Sequence, residues 1–159
     1  MSAEYSAITP QTIQPGEAAL FPIASVPSDN GLIFPNLNTG VFRLASPSLF
    51  GFRPCFRCSC RRMPRADYKV AFHGNIQIPE GGTVEEISLA VVIDGQTDRA
   101  SVMTETPAAV EQTSNVGTDL VVSVPAICNC AAVSVRNIST QPITLVNGII
   151  SIDPDRLRS

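Results

Sequence analysis

Apolar and polar residues alternate with a period of two along most of the chain after residue 66. In ADYKVAFHGNIQIPEGG, polar Lys69, His73 and Asn75 fall between apolar residues, as in a strand with one buried face. Pro79 and the glycines that follow would end this strand. The predicted buried face consists of Tyr68, Val70, Phe72, Ile76 and Ile78.

Further apolar segments follow at the spacing of short antiparallel strands. ISLAVVID precedes Asp94-Gly95, a dipeptide that tolerates the positive φ of a tight hairpin. Pro107 interrupts the next segment and predicts an irregular edge strand. TDLVVSVP, AAVSVRNIS and PITLVNGIISID supply three more strands. Several strands separated by turn signals predict an all-β antiparallel sandwich or barrel.

The composition agrees with a folded, strand-rich protein. Hydrophobic residues make up 44% of the 159 residues and charged residues only 16%, unlike a disordered chain. Thirteen prolines and ten glycines interrupt the sequence too often for long helices. Short strands are expected near 17–23, 31–34 and 40–44. We predict an N-terminal arm (1–16), a single domain (17–153) with a Cys/Arg-rich loop (51–66), and a C-terminal tail (154–159).

One short segment, PCFRCSCRRMPR at 54–65, differs from the rest. It holds three of the five cysteines and four of the eleven basic residues. The stretch 53–69 carries a net charge of +5, while the whole chain carries −3. Such a local positive feature on an acidic body suits contact with an acidic partner.

The order of the strand motifs resembles a known superfamily. YKVAF, then ISLAVVIDG, then VSVRN and ITLVNGIISI are similar to the jelly roll of the tumour-necrosis-factor and complement globular-head superfamily. The likeness is closest to versions from gut bacteria and their phages, in which a Cys/Arg-rich segment also precedes the tyrosine strand. The resemblance implies a homotrimeric sandwich of two sheets with ten strands.

A pattern in the strands agrees with the implied homotrimer. Four apolar residues follow or precede a residue of the buried face directly in sequence, so their strands are apolar on both sides. They are Ala90, Val92, Val121 and Ile149. Two-sided burial requires cover on both sides, and a second subunit would supply it. A loop of the same chain is the alternative cover.

In a jelly roll, the connections that hold the cysteines emerge at the same end of the sandwich. The segments are C-x-x-C-x-C and C-x-C, which departs from the paired C-x-x-C halves of a regular zinc site. Disulfides or free thiols are therefore favoured over zinc, and no cofactor is expected. The candidate residues are Cys55, Cys58, Cys60, Cys128 and Cys130.

The arginines are expected to bind a partner at this end of the molecule. A nucleic-acid finger would need a helix after the cysteines, and Pro64 with the following strand leaves no room for one, so specific nucleic-acid binding is not expected. The partner-binding candidates are Arg53, Arg57, Arg61, Arg62 and Arg65.

No catalytic set is apparent. His73 is the only histidine and lies on the predicted outward face of its strand, whereas general-base chemistry usually needs such a group in a pocket. The chain is therefore expected to be non-enzymatic. No secretory signal and no apolar stretch of about 20 residues is found, so no membrane association is expected.

Together these features predict a structural protein of a bacteriophage virion. It would be a trimeric capsid decoration protein, or a head-fibre or spike protein, that binds capsid proteins after assembly in the host cytoplasm. The alternative is a cell- or spore-surface recognition module that binds glycan or protein through its loops.

Overall fold

The structure is a computed structural model that describes residues 2–28, 31–46, 65–124 and 130–158. The described chain forms a short 3-10 turn (Arg99–Ser101) and twelve strands. The strands are β1 (Ala3–Ala7), β2 (Gln11–Ile13), β3 (Ile23–Val26), β4 (Ile33–Asn36), β5 (Val41–Ala45), β6 (Arg65–Gln77), β7 (Ile87–Ile93), β8 (Gln96–Thr97), β9 (Met103–Glu105), β10 (Ser114–Val124), β11 (Cys130–Asn137) and β12 (Ile143–Arg158).

These strands pair into two antiparallel sheets that pack face to face. Sheet A has the order β10-β6-β12-β1-β3, with β2 also paired to β12. Sheet B has the order β4-β5-β11-β7-β8, with β9 also paired to β7. Most of the neighbours at the centre of each sheet, such as β6 and β12 or β5 and β11, come from distant parts of the sequence, as in a jelly roll. The all-β sandwich expected from the sequence is confirmed.

The alternating pattern locates the central strands correctly. In β6, the residues Ala66, Tyr68, Val70 and Phe72 are buried, and the polar residues between them face outward. The predicted turn after β7 is also present, since Asp94 and Gly95 have φ values of 51° and 81°. A side chain other than Asn or Asp is strained at the first of these positions.

The termini differ from the predicted arm and tail. Residues 3–7 form β1 inside sheet A, where Ala3, Tyr5 and Ala7 are buried. At the other end, β12 continues to Arg158 and pairs with the start of β6. The alternation Ala-Glu-Tyr-Ser-Ala is the signal for β1, but its small residues and short length hide it among polar neighbours.

Four aromatic rings connect the two sheets at the centre of the core. The ring of Tyr5 in β1 lies 5.0 Å from that of Phe42 in β5, centroid to centroid. Phe21 lies 6.1 Å from Phe42 and 6.0 Å from Phe72 in β6. These tilted and edge-on contacts are the preferred geometries for aromatic pairs. Sheet A, sheet B and the segment before β3 therefore meet in one cluster.

A buried asparagine anchors the segment between β2 and β3. Asn137 is fully buried, and its amide Nδ2 donates to the carbonyl oxygens of Ile13 and Gln141, both at 2.9 Å. Its Oδ1 accepts from the backbone N–H of Ser139 at 2.8 Å. The backbone N–H of Gly16 donates to the Asn137 carbonyl at 2.7 Å. Both side-chain amide hydrogens of Asn137 and its Oδ1 have hydrogen-bond partners. The buried side chain therefore has no unsatisfied polar group.

The outer face of β7 is buried within the single chain, beside Arg136 of β11. Ala90 and Val92 are only 0% and 5% exposed in a single chain. Their cross-strand neighbours on β11 are Arg136 and Ser134. The Arg136 side chain lies along this face, with Nε donating to Ser134 Oγ at 3.1 Å and Nη1 to the Gly16 carbonyl at 3.4 Å. The expectation that a second subunit covers Ala90 and Val92 is therefore wrong, because the chain covers them itself.

Candidate functional site

The two connections that contain the cysteines leave the sandwich at the same end. Val124, the last residue of β10, pairs with Ala66 near the start of β6. Cys130, the first residue of β11, pairs with Ala45, the last residue of β5. We call this end, defined by Ala45, Ala66, Val124 and Cys130, the cysteine pole. The structure therefore places the flanks of both connections as the jelly-roll order requires.

Most of the predicted site residues lie outside the described residues. These are Cys55, Cys58, Cys60, Cys128, Arg53, Arg57, Arg61 and Arg62. Arg65 begins β6, but only its backbone is described. Cys130 is exposed and its thiol is free. Within the described ranges, no three metal-binding side chains of His, Cys, Asp or Glu come together. Zinc, disulfide and free thiol all stay predictions for this pole.

Tyr68 links the two sheets at the cysteine pole. Its side chain is buried, and its hydroxyl donates to the carbonyl of Ala45 on the opposite sheet. Burial raises the pKa of Tyr68 to about 12, and the negative charge of a Cys130 thiolate adds to the rise. The phenol therefore stays protonated, and keeps donating, to higher pH than a tyrosine in water.

The outward side of sheet A, which we call the outer face of sheet A, carries a row of three asparagines. Asn75 Nδ2 donates to Asn147 Oδ1 at 2.8 Å, and Asn115 Nδ2 donates to Asn75 Oδ1 at 3.1 Å. The three residues sit on β10, β6 and β12 at matching register positions. The sequence shows that Asn75 faces outward, but the row depends on a register that no single strand reveals.

Small residues keep the outer face of sheet A flat beside this row. Gly117 pairs with His73, and a Cβ atom added at Gly117 would meet the His73 ring nitrogen Nδ1 at 2.3 Å. The imidazole thus lies against the bare backbone of β10. On the next rung, Ala71 pairs with both Asp119 and Ser151. Gly117, Ala71 and Ser151 therefore lower the surface between the larger side chains of His73, Ile149 and Asp119.

The polar side chains of this face that carry or can carry charge form loose contacts in solvent. His73 Nε2 lies 3.8 Å from Asp119 Oδ1, and their side chains are 58% and 78% exposed. Lys69 Nζ lies 3.3 Å from Asp155 Oδ1. Exposed pairs of this kind contribute little to stability. His73 is placed on the outward face that the sequence predicted for it.

Two apolar residues on this face are covered only in part by the described residues. Val121 is 58% exposed and Ile149 is half-buried. Both were predicted to be the second apolar side of their strands. Unlike Ala90 and Val92 on β7, they keep that exposure in the single chain.

Comparison with solved structures identifies the architecture. The chain superposes on the globular domain of a zebrafish complement 1qA protein with a TM-score of 0.63 at 9% identity, covering 99% of this chain and 98% of that one. It superposes on the Eiger TNF of S. frugiperda with a TM-score of 0.68 at 7% identity, covering 100% and 94%. The fold is a tumour-necrosis-factor-like jelly roll.

Comparison of the sequence with known families and curated proteins found no match. No model of a known protein family matches the chain, and no curated protein sequence matches it. In this jelly roll, the described residues contain no helix of the length and apolarity that a membrane span requires. At such low identity the solved structures establish the fold alone.

Replacing Tyr68 by phenylalanine is expected to change how stability depends on pH. The folded-state pKa of about 12 exceeds the ordinary value of about 10. The neutral phenol therefore stabilises the fold fully below pH about 10, and this contribution is lost as the pH rises from about 10 to about 12. Urea midpoints measured from pH 8 to 11 should fall further for the wild type than for Tyr68→Phe. Since cysteine ionisation is common to both proteins, equal falls would contradict this role of Tyr68.

Proposed function

We propose that this chain is a non-enzymatic, homotrimeric structural protein of a bacteriophage virion, which decorates the capsid or forms a head-fibre or spike. The observation that carries the proposal is the outer face of sheet A, which includes several small residues and leaves Val121 exposed and Ile149 half-buried in the single chain. Its partners would be two further copies of the chain and the capsid proteins. Its place would be the virion, after assembly in the host cytoplasm.

The outer face of sheet A suits close packing against another copy of the chain. Gly117, Ala71 and Ser151 add little height, so a second backbone can approach closely. Val121 and Ile149 provide apolar surface whose burial would favour association. The asparagine row offers donors and acceptors at fixed spacing. The superfamily resemblance adds a threefold arrangement to this picture.

The described polar groups support binding rather than catalysis. His73 and Asp119 stand on an open sheet face in contact with water. His73 also lines an open hollow of about 250 Å³, but the rest of its lining is apolar residues, glycines and the three asparagines, with no nucleophile or second acid for a general base to work with. No cofactor is needed for such a role.

The virion role is supported by the phage-like sequence motifs and by the position of the basic segment at the cysteine pole. The basic segment enters β6 at the cysteine pole, whereas the body of the chain is acidic. In a trimer, three such segments would gather at one end, where they would dock on an acidic capsid surface.

A surface recognition module is the second candidate. It is favoured by a groove on sheet B that contains an exposed aromatic ring, Phe34, which is 51% exposed. Exposed aromatic residues are common in binding surfaces and cost free energy when left in water.

A charged substitution on the outer face of sheet A should dissociate the trimer into single chains. Val121→Glu would place a carboxylate in the contact between subunits, and desolvating that charge disfavours association even with Lys69 opposite it on β6. Light scattering should give the mass of three 16.9-kDa chains for the wild type and of one chain for the variant.

Val102→Glu is the matched control, because Val102 is also an exposed valine, 37% exposed, but lies between the 3-10 turn and β9 beside sheet B. This variant should stay trimeric. A monomeric wild type, or equal behaviour of the two variants, would contradict assembly through the outer face of sheet A.

The virion role is tested on phage particles purified from the organism that encodes the chain. Quantitative mass spectrometry should find the chain at a fixed ratio to the major capsid protein, and cryo-electron microscopy should show threefold projections of matching size. If the chain is found with the cell or spore surface and is lacking from the particles, the virion role is wrong.

A further inference from the structure

A groove lies on the outward side of sheet B, at the hairpin formed by β4 and β5. It encloses about 490 Å³, within the range of about 300–1,000 Å³ typical of pockets for small ligands. Its lining consists of Phe34, Pro35, Asn36, Thr39, Val41 and Arg43. The groove is on the opposite sheet from the face proposed for trimer contact, so the two surfaces do not compete.

Phe34 and Arg43 form the centre of this groove. They are direct cross-strand partners, so their side chains stand on the same face with Cβ atoms about 5 Å apart. Phe34 is 51% exposed, and Arg43 is exposed as well. Among the described residues, no ring stacks on Phe34 and no carboxylate pairs with Arg43. An apolar ring and an unpaired cation thus stand side by side in solvent.

The next rung supplies further hydrogen-bond donors. Asn36 pairs with Val41, and its Oδ1 accepts from the backbone N–H of Asn38 at 3.2 Å. This bond leaves the Asn36 amide N–H group without a partner among the described side chains. The hydroxyl of Thr39 lies in the same lining. The carboxylate of Asp94, on the hairpin after β7, accepts from Ala132 N–H rather than from Arg43.

The edge of β4 is not suited to an added peptide strand. Leu32 and Asn36 accept backbone bonds from Ala45 and Gly40 on the β5 side, so alternate residues point their backbone groups toward β5. Pro35 therefore turns its nitrogen to the free edge, where it has no hydrogen to donate. A proline in this position protects an edge strand from pairing. The ligand must then be recognised by the side chains of the face.

We propose that this groove binds a saccharide whose ring carries a carboxylate, such as a uronic or sialic acid. The apolar C–H face of one sugar ring would pack on Phe34, which buries apolar area on both partners. The adjacent guanidinium of Arg43 would receive the carboxylate in a charge-assisted, two-point contact. Asn36 and Thr39 would bond the ring hydroxyls.

The site does not depend on the virion role or on the trimer, since all of its residues belong to one hairpin. Its test uses the full chain with trigalacturonic acid and sialyllactose as acidic probes. The fully methyl-esterified trigalacturonate is the neutral control, because it keeps the rings and loses the charge. Backbone NMR shifts in a titration should be confined to β4, β5 and the loop between them, for at least one acidic probe.

Two variants identify the groove. Phe34→Ala and Arg43→Gln should each weaken binding of the acidic probe by about tenfold or more, as expected for a lost charge-assisted bond or a lost stacking surface. Arg99→Gln is the matched control, because Arg99 is an exposed arginine near the opposite edge of sheet B. It should leave binding unchanged. Raised salt should weaken binding of the acidic probe.

Four results would overturn the proposal. One is the lack of shifts with both acidic probes at millimolar concentration, and another is equal binding of the methyl ester, which would remove the role of the carboxylate. Equal loss in Arg99→Gln would show non-specific attraction. Stronger binding of a glutamate-rich peptide at the same residues would assign the groove to a protein partner instead.

Discussion

The cluster of Tyr5, Phe21, Phe42 and Phe72 is the packing constraint on which the other features depend. Two sheets of a sandwich separate unless large side chains from both inner faces interdigitate. Here β1, β5 and β6 each contribute one ring, and the segment before β3 contributes the fourth. Because Phe21 belongs to that segment, the cluster also fixes the stretch that Asn137 anchors and that pairs with the end of β11.

The two outer faces differ in kind. On sheet B, Ala90 and Val92 of β7 are buried beside Arg136, and the described residues leave hollows at the β4–β5 hairpin and next to Val92. On sheet A, the outward side combines the small residues Gly117 and Ala71 with an exposed Val121. A protein with these surfaces can pack against its own copies through one sheet and present side chains to a ligand on the other.

Much of the fold followed from the sequence because period-two alternation is strong where a strand is long and half-buried, as in β6 and β7. The shared end of the two cysteine connections also followed, once the strand order was known. The sequence did not indicate β1, because Ala3 and Ala7 give a weak apolar signal. It also did not indicate that the chain itself buries Ala90, because the neighbouring Arg136 lies far away in sequence. The asparagine row and the pairing of Phe34 with Arg43 depend on register, which a single strand does not specify.

Amide hydrogen exchange of the full chain tests the role of the aromatic cluster most directly. If Tyr5 locks β1 into the core, the hydrogen-bonded amides of Ala3–Ala7 should exchange as slowly as those of β12, through unfolding of the whole domain. Exchange of β1 at the rate of a fraying terminus, with β12 still protected, would contradict this account.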